Sequence, residues 1–352
     1  MNRANTVLKI AVPIISVIIA FVIGGIIILA LGKNPLEAYS FLLVGSFGSA
    51  QRIAQTLEGA CPLIFTGLAA TFAYKCGVFN LGGEGQFIMG AVASISFIQL
   101  SGMEGLPAVI LSILLGAVAG GIWGAIPGLL KVTRGLNEMI VSIMLNYVAT
   151  LFMGFIFTNL LREAEMPQTA PVPDSTKLID ISEGLRAHVG IIIALVVALA
   201  VFYFLKYTSK GFQLRAVGMN ALASKVNGYY VGRLMLFSFI VSGAIAGMGG
   251  SIELHGKQFR LLSGFGSGFG FDGVAIALIA QLNPIATVIV AFLFAILRKG
   301  ASALQTGMAI PTSVVDIIQA LIIVFAVAGT AILRLPAVKQ FLLRMKKEKK
   351  EA

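Results

Sequence analysis

Charge is the scarcest commodity in this sequence: only 12% of its 352 residues are Asp, Glu, Lys or Arg, against about a quarter in soluble domains. A chain this poor in charge cannot clothe a globular surface in water. With 58% hydrophobic residues and a mean hydropathy of +0.95 it reads as a polytopic membrane protein. Cysteine is nearly absent. Cys61 lies inside an apolar run and Cys76 at its end, which excludes a disulfide framework and leaves two small core thiols. The two histidines, His188 and His255, are too few and too scattered for a metal site. No Ser/His/Asp or paired-acid arrangement can be assembled around them either, which speaks against an intramembrane enzyme. Nor is there a G-x-x-x-x-G-K-[ST] run, so the chain cannot hydrolyse ATP alone.

What charge exists is lopsided. The net charge of +11 falls in short loops and in the terminal MKKEKKEA, where it sets topology and meets anionic lipid, so no nucleic-acid partner is expected. The first apolar run, residues 10–31, reads as an uncleaved signal anchor. Residues 36–49 suit a helix at the outer interface, and residues 53–74 return the chain to the cytosol at Lys75. Further spans are expected over residues 106–130, 136–161, 189–205, 234–254, up to about 297, and 313–333. The Pro-rich stretch 162–187 is expected outside, as an exposed irregular loop. The expected fold is all-α, with about ten transmembrane helices and both termini cytosolic, an arrangement that puts most of the 26 Lys and Arg residues inside.

Two glycine-rich stretches interrupt this pattern. CGVFNLGGEGQFIMGA (76–91) carries Asn80, Glu84 and Gln86, and SGFGSGFGFDGVAIALIAQLNP (263–284) carries Asp272 before an apolar run too short to cross a bilayer. Non-helical backbone at membrane depth is tolerated where protein buries it or where it lines a wet cavity. Broken helices beside a translocation path are therefore expected; a plain cytosolic turn, with Glu84 merely solvated, is the blander reading of the first. Glu138, Ser142 and Asn146, spaced i, i+4, i+8, form one polar stripe on an apolar helix. Asp316 and Gln319 open the last span in a similar way. Gly116, Gly120, Gly124 and Gly128 form a stripe for close helix packing, with Gly243, Gly247 and Gly250 offering another. The order of break, span, basic pair and polar-started span recurs. The chain thus reads as one membrane domain, 1–352, with two weakly related inverted halves, about 53–161 and 234–333, and a basic tail, 334–352.

Between the halves lies KYTSKGFQLRAVGMNALASKVNGYYVGR, residues 206–233, with Lys206, Lys210, Arg215, Lys225 and Arg233 and no acid, hence cytosolic. Asn220 can cap a short helix with Met219, Leu222 and Val226 on one edge, and Gly228 suits the left-handed residue that stops it. So short a helix needs a surface, either the protein's own membrane face or a partner's groove.

GVFNLGGEGQFIMGA, GLNEMIVSIMLNY, GFQLRAVGMNALASKVNGYYVGR and FDGVAIALIAQLNP followed by VVDIIQALIIVF resemble the permease subunits of bacterial ABC importers for simple sugars, branched-chain amino acids and nucleosides. The likeness covers nearly the whole chain and is greatest to the nucleoside branch. It implies a multi-pass cell-membrane subunit paired with a second related permease, driven by a cytosolic ABC ATPase subunit and fed by an extracellular substrate-binding lipoprotein. ATP and Mg would be bound by the ATPase, and no cofactor by this chain. The coupling role falls on Arg215, Gly218, Met219, Asn220, Leu222, Lys225, Val226 and Gly228. A path for a nucleoside, purine foremost, could draw hydrogen bonds from Asn80, Glu84, Gln86, Glu138, Ser142, Asn146, Asp272, Asp316 and Gln319, and stacking from Phe79 and Phe87, though each aromatic by itself suits core packing better. A simple-sugar permease is the alternative within the family. A proton-coupled transporter using Glu138 and Asp316 is the alternative outside it, but it has no need of the acid-free loop.

Overall fold

The computed structural model describes residues 3–163, 166–182, 185–266 and 268–332, so the expected basic tail lies outside the described residues. Most of them are helical. Two compact units form, one from residues 1–48 with 296–352 and one from residues 49–295.

The first unit contains α1 (Arg3–Ala30), α2 (Pro35–Phe47), the later part of α12 (Pro284–Met308) and α13 (Ser313–Ile332). Gly32 at φ 73° ends α1. Asn34 then caps α2, its Oδ1 accepting the Leu36 N–H at 3.0 Å, and Pro35 supplies a preset first turn. The chain bends by 116° between the two helices. Ser46 Oγ donates to the Ile296 carbonyl of α12 at 2.9 Å.

The second unit is built around α3 (Ala50–Lys75), most of whose residues from Ala60 to Tyr74 are buried. Ser49 caps it, accepting the Arg52 N–H at 3.2 Å. Around it lie α4 (Gly83–Ser101), α5 (Gly105–Arg134), α6 (Glu138–Phe155), α7 (Gly190–Tyr207), α10 (Val231–Glu253) and α11 (Phe269–Ile279). Both α6 and α10 end in a π turn, Ile156–Leu160 and Leu254–Gln258. The closest packing joins α5 to α10. A Cβ on Gly120 would run into the Gly243 carbonyl and lie 2.7 Å from the Gly247 Cα, and one on Gly124 would lie 2.6 Å from the Phe239 carbonyl. Gly90 of α4 meets Gly247 from the other side. The expected glycine stripe thus brings backbone against backbone, which maximises van der Waals contact where lipid removes the hydrophobic driving force.

Among the described residues, six helices are long and apolar enough to cross a membrane, or seven if the bent pair counts as one span, with Phe269–Ile279 and Ser313–Gly329 as shorter apolar helices. That is a polytopic membrane protein, though the expected count of about ten is not reached by length and hydropathy alone. Two boundaries differ from expectation. Helix α12 continues past Arg298, Lys299 and Gly300 to Met308 instead of stopping near residue 297; Lys and Arg are good helix formers, and a lone glycine costs a helix only about 1 kcal/mol. The stretch after α6 is not an exposed irregular loop. It forms two antiparallel hairpins, β1 (Arg162–Glu163) with β2 (Met166–Thr169) and β3 (Asp180–Ser182) with β4 (Leu185–His188), and buries Thr169, Val172, Thr176, Ala187 and His188. Its proline and polar content gave no sign of the main-chain pairing that holds it.

The α5–α10 contact yields a prediction. Gly120→Leu forces the two backbones apart; overpacking costs about 1–3 kcal/mol or more, so folded yield and melting temperature in detergent should both fall. A variant with wild-type melting behaviour would show that the glycine stripe does not set this distance.

Candidate functional site

The first glycine-rich stretch is broken as expected: residues 76–82 separate α3 from α4, with Gly77 at φ 76°. Breaking a helix frees amides and carbonyls, and in apolar surroundings protein must satisfy them. Asn80 and Gln86 do so as a reciprocal amide pair. Asn80 Nδ2 donates to Gln86 Oε1 at 2.9 Å, and Gln86 Nε2 donates back to Asn80 Oδ1 at 3.0 Å. Asn80 Oδ1 also accepts the Gly82 N–H at 3.0 Å. Asn80 Nδ2 reaches Ser242 Oγ of α10 at 2.9 Å, and that hydroxyl donates on to the Ala69 carbonyl of α3 at 2.7 Å.

Asn146 closes the break from the far side. Its Oδ1 accepts the Gly85 N–H at 2.8 Å and its Nδ2 donates to the Leu81 carbonyl at 2.9 Å, so one side chain grips both edges of the interruption. The polar stripe of α6 does share one face. Glu138, Ser142 and Asn146 are all buried, and Ser142 sits beside Gly82, where a Cβ would lie 3.4 Å from it. Ser142 Oγ has no hydrogen-bond partner among the described residues. Asn137 caps α6 through the Met139 N–H at 2.9 Å. At that end Glu138 forms an ion pair with Lys131 of α5, which neutralises an acid that would be costly in a membrane.

The second broken segment meets the first. Gly270, at the start of α11, lies so close to α4 that a Cβ there would fall 2.5 Å from the Glu84 Cβ. Two helix N-termini therefore converge, each with an acid in its first turn, Glu84 and Asp272, where the helix dipole favours negative charge. Phe87 is fully buried between Phe269 and Phe265, with ring centroids 5.6 Å and 6.0 Å away. Phe79 is 43% exposed, its ring 4.9 Å from that of Tyr74. Asp316, exposed, and Gln319, buried with Nε2 lacking a partner among the described residues, lie on α13 in the other unit. The structure thus brings Asn80, Gln86 and Asn146 together around the break, with Glu84, Phe87, Ser142 and Asp272 beside them. The polar atoms of Asn80, Gln86 and Asn146 are spent on protein partners.

The basic loop carries α8 (Ser209–Met219) and α9 (Ala221–Val226). Asn220 Oδ1 accepts the Ala223 N–H at 2.9 Å, and Gly228 follows at φ 81°, the cap and stop expected. Met219, Leu222 and Val226 are 80%, 74% and 83% exposed. Gly218 is pressed against the end of α3, where a Cβ would meet the Lys75 carbonyl and lie 3.0 Å from the Gly77 nitrogen. Arg215 lies over the Phe212 ring, 6.0 Å from its centroid.

Sequence reasoning passed over both histidines. His255 is fully buried in a hydrogen-bonded knot with Ser94, Ser112 and the Thr176 carbonyl. His188 is 1% exposed; burial, reinforced by the Lys257 ammonium, pushes its imidazole down to about 4 and keeps it neutral. Serines within apolar runs were the available signal, but only the fold pairs them with a histidine. Among the described residues no group of three or more His, Cys, Asp or Glu is placed to hold a metal.

The amide pair makes a quantitative prediction. Asn80→Leu or Gln86→Leu alone strands the surviving buried amide, a cost of about 1–3 kcal/mol; in the double variant that stranded group is gone. The combined loss in melting temperature should therefore be smaller than the sum of the single losses. Additive losses would mean that the two amides are not coupled.

The comparisons with known proteins agree with this geometry. Residues 52–327 match the family described as branched-chain amino acid transport system / permease component. The chain is 36% identical over 330 residues to the guanosine ABC transporter permease protein NupP of Bacillus subtilis, covering 91% of this chain and 94% of that one. It is 33% identical over 335 residues to the nucleoside ABC transporter permease protein NupB of Lactococcus lactis, 91% of each chain. A glucose ABC transporter permease protein, TsgB13 of Haloferax volcanii, is 30% identical over 329 residues, 90% of this chain and 87% of that one. No solved structure matches. A polytopic helical chain with a broken-helix network, matched over most of its length, is a transport protein and not an enzyme, and it belongs to the branched-chain amino acid transport system permease family.

Proposed function

We propose that this chain is the membrane-spanning subunit of an ATP-driven importer of nucleosides, with purine nucleosides foremost. The similarity to the guanosine permease over nine-tenths of both chains carries the reading. The glucose permease at 30% identity keeps a sugar as the second reading.

Ten membrane segments fit the described helices: α1, α3 to α7 and α10 to α13, with α4 and α11 starting inside the membrane. This puts loop 206–233 and both termini in the cytosol and residues 162–188 outside, as the positive-inside rule requires. Inverted halves are supported by cross-packing. The broken helix of each half lies on the first helix of the other, α4 on α10 and α11 on α3. Likewise α5 packs on α10, while α12 reaches α3 through Thr71 and Thr287, whose hydroxyls are 3.0 Å apart.

A cytosolic ABC ATPase grips α9, whose exposed Leu222 and Val226, with Met219 at the end of α8, suit an apolar groove. A second related permease completes the path, and a binding lipoprotein delivers substrate from outside. ATP-driven closure displaces α9, and the Gly218 contact passes the displacement to Lys75 and Gly77, three residues before Asn80. The backbone contacts between α5 and α10, free of interlocking side chains, let the helices rock about the break. Substrate hydroxyls and base edges are met by Glu84, Ser142 and Asp272 in the open state, with Glu138 as a further polar group and Phe79 as a stacking face. Exchange of partners at Asn80, Gln86 and Asn146 would add donors as the break shifts. No covalent chemistry is asked of this subunit; ATP and Mg are the ATPase's.

The test is uptake of labelled guanosine by the full complex in proteoliposomes. ATP-dependent uptake should be blocked by excess unlabelled nucleoside and not by glucose. Leu222→Asp with Val226→Asp should abolish it and release the ATPase on affinity purification, because burying one uncompensated charge costs at least about 1–3 kcal/mol. The permease itself should still fold. Glucose competition would favour the sugar reading, and a double variant that keeps its ATPase would refute the docking role of α9.

A further inference from the structure

One ring ties together four parts of the second unit. His255 lies on the π turn that follows α10, fully buried. Its Nδ1 is 2.8 Å from the Thr176 carbonyl. A carbonyl can only accept, so the proton sits on Nδ1 and Nε2 presents a lone pair. Ser94 Oγ of α4 and Ser112 Oγ of α5 lie 3.0 Å and 2.8 Å from Nε2. Ser94 donates to it, while Ser112 has a second acceptor, the Val109 carbonyl, at 2.9 Å.

The segment that His255 grips is held almost wholly by main-chain bonds at this end of the unit. Thr169 N–H donates to the Leu261 carbonyl at 3.0 Å, Val172 N–H to Phe259 at 2.7 Å and Leu178 N–H to His255 at 2.9 Å. Gln99 of α4 donates its Nε2 to the Ala170 carbonyl at 2.7 Å. Val172 enters the same buried cluster as Phe87, Leu261 and Phe265, so this strand lies over the aromatics beside the broken helix. Phe259, which accepts from Val172, sits at φ 58°, a left-handed conformation that a residue with a Cβ adopts at a cost.

We propose that residues 166–182 form a strap over the outer end of the path, latched by His255, and that the strap must release for that end to open. The inference rests on the transport reading, which makes this the outer face and requires the path to open there. Release withdraws Val172 from that buried cluster. Main-chain bonds at the membrane surface can be remade with water, and Ser112 keeps a partner in Val109. Holding the strap closed pins α4, α5 and the end of α10 at one spacing through a single imidazole.

The test uses the full complex with Gln99→Cys and Ala170→Cys, adjacent positions of which Gln99 is half-buried and Ala170 exposed, the native thiols being buried. A short bifunctional thiosulfonate should abolish guanosine uptake, reducing agent should restore it, and each single-cysteine variant should be indifferent to the reagent. Uptake unchanged in the cross-linked protein would overturn the proposal. His255→Ala should speed deuterium uptake in residues 168–178 while leaving α7 unchanged; unaltered exchange there would overturn the latch even if the cysteine pair failed to transport. A wild-type complex idle toward nucleosides would sink the transport reading alone, and the deuterium measurement would still decide the latch.

Discussion

A helix interrupted within an apolar layer must find protein partners for every amide and carbonyl that it frees, because no water is there to take them. That requirement organises this molecule. Asn80, Gln86, Ser242 and Asn146 supply the partners from three helices and the break itself. Each has to stand at hydrogen-bond distance, so the spacing of α3, α4, α6 and α10 is fixed by the break. The stacking of Phe87 between Phe265 and Phe269 and the convergence of α11 on α4 follow from that placement.

Such a framework is firm in hydrogen bonds and smooth in packing. Around the polar network the helices touch through glycine, at Gly90, Gly120, Gly124, Gly243 and Gly247. Backbone contact is tight without interdigitation, so it resists separation more than sliding. A transport cycle needs that combination. In the proposed cycle the polar break would exchange one set of partners for another while the helices beside it shift, and the close contact of Gly218 with Gly77 would supply a place to push.

Much of this was legible from residue order, for identifiable reasons. Helix periodicity put Glu138, Ser142 and Asn146 on one face, and a four-residue glycine interval announced the α5 contact, because both are properties of a single helix. The cap at Asn220 and the stop at Gly228 are local as well. What escaped was long-range. The hydrogen bonds of Asn80 and Gln86 read equally well as substrate contacts until Ser242, 162 positions away, was placed beside them. His255 looked isolated because Ser94 and Ser112 lie 161 and 143 positions off. The strap was missed because its strands are short and pair with a π turn and the chain beyond it, and α12 ran past Arg298 because a basic pair marks a membrane boundary and not a helix end.

The constraint can be measured at the break itself. In lipid nanodiscs, deuterium exchange over residues 80–90 should be as slow as within α3, since the Gly82 and Gly85 amides are bonded to Asn80 and Asn146. Asn146→Leu should release exchange at this stretch selectively. Fast exchange there in the unaltered protein would contradict the account, because the freed backbone would then be satisfied by water and not by the network.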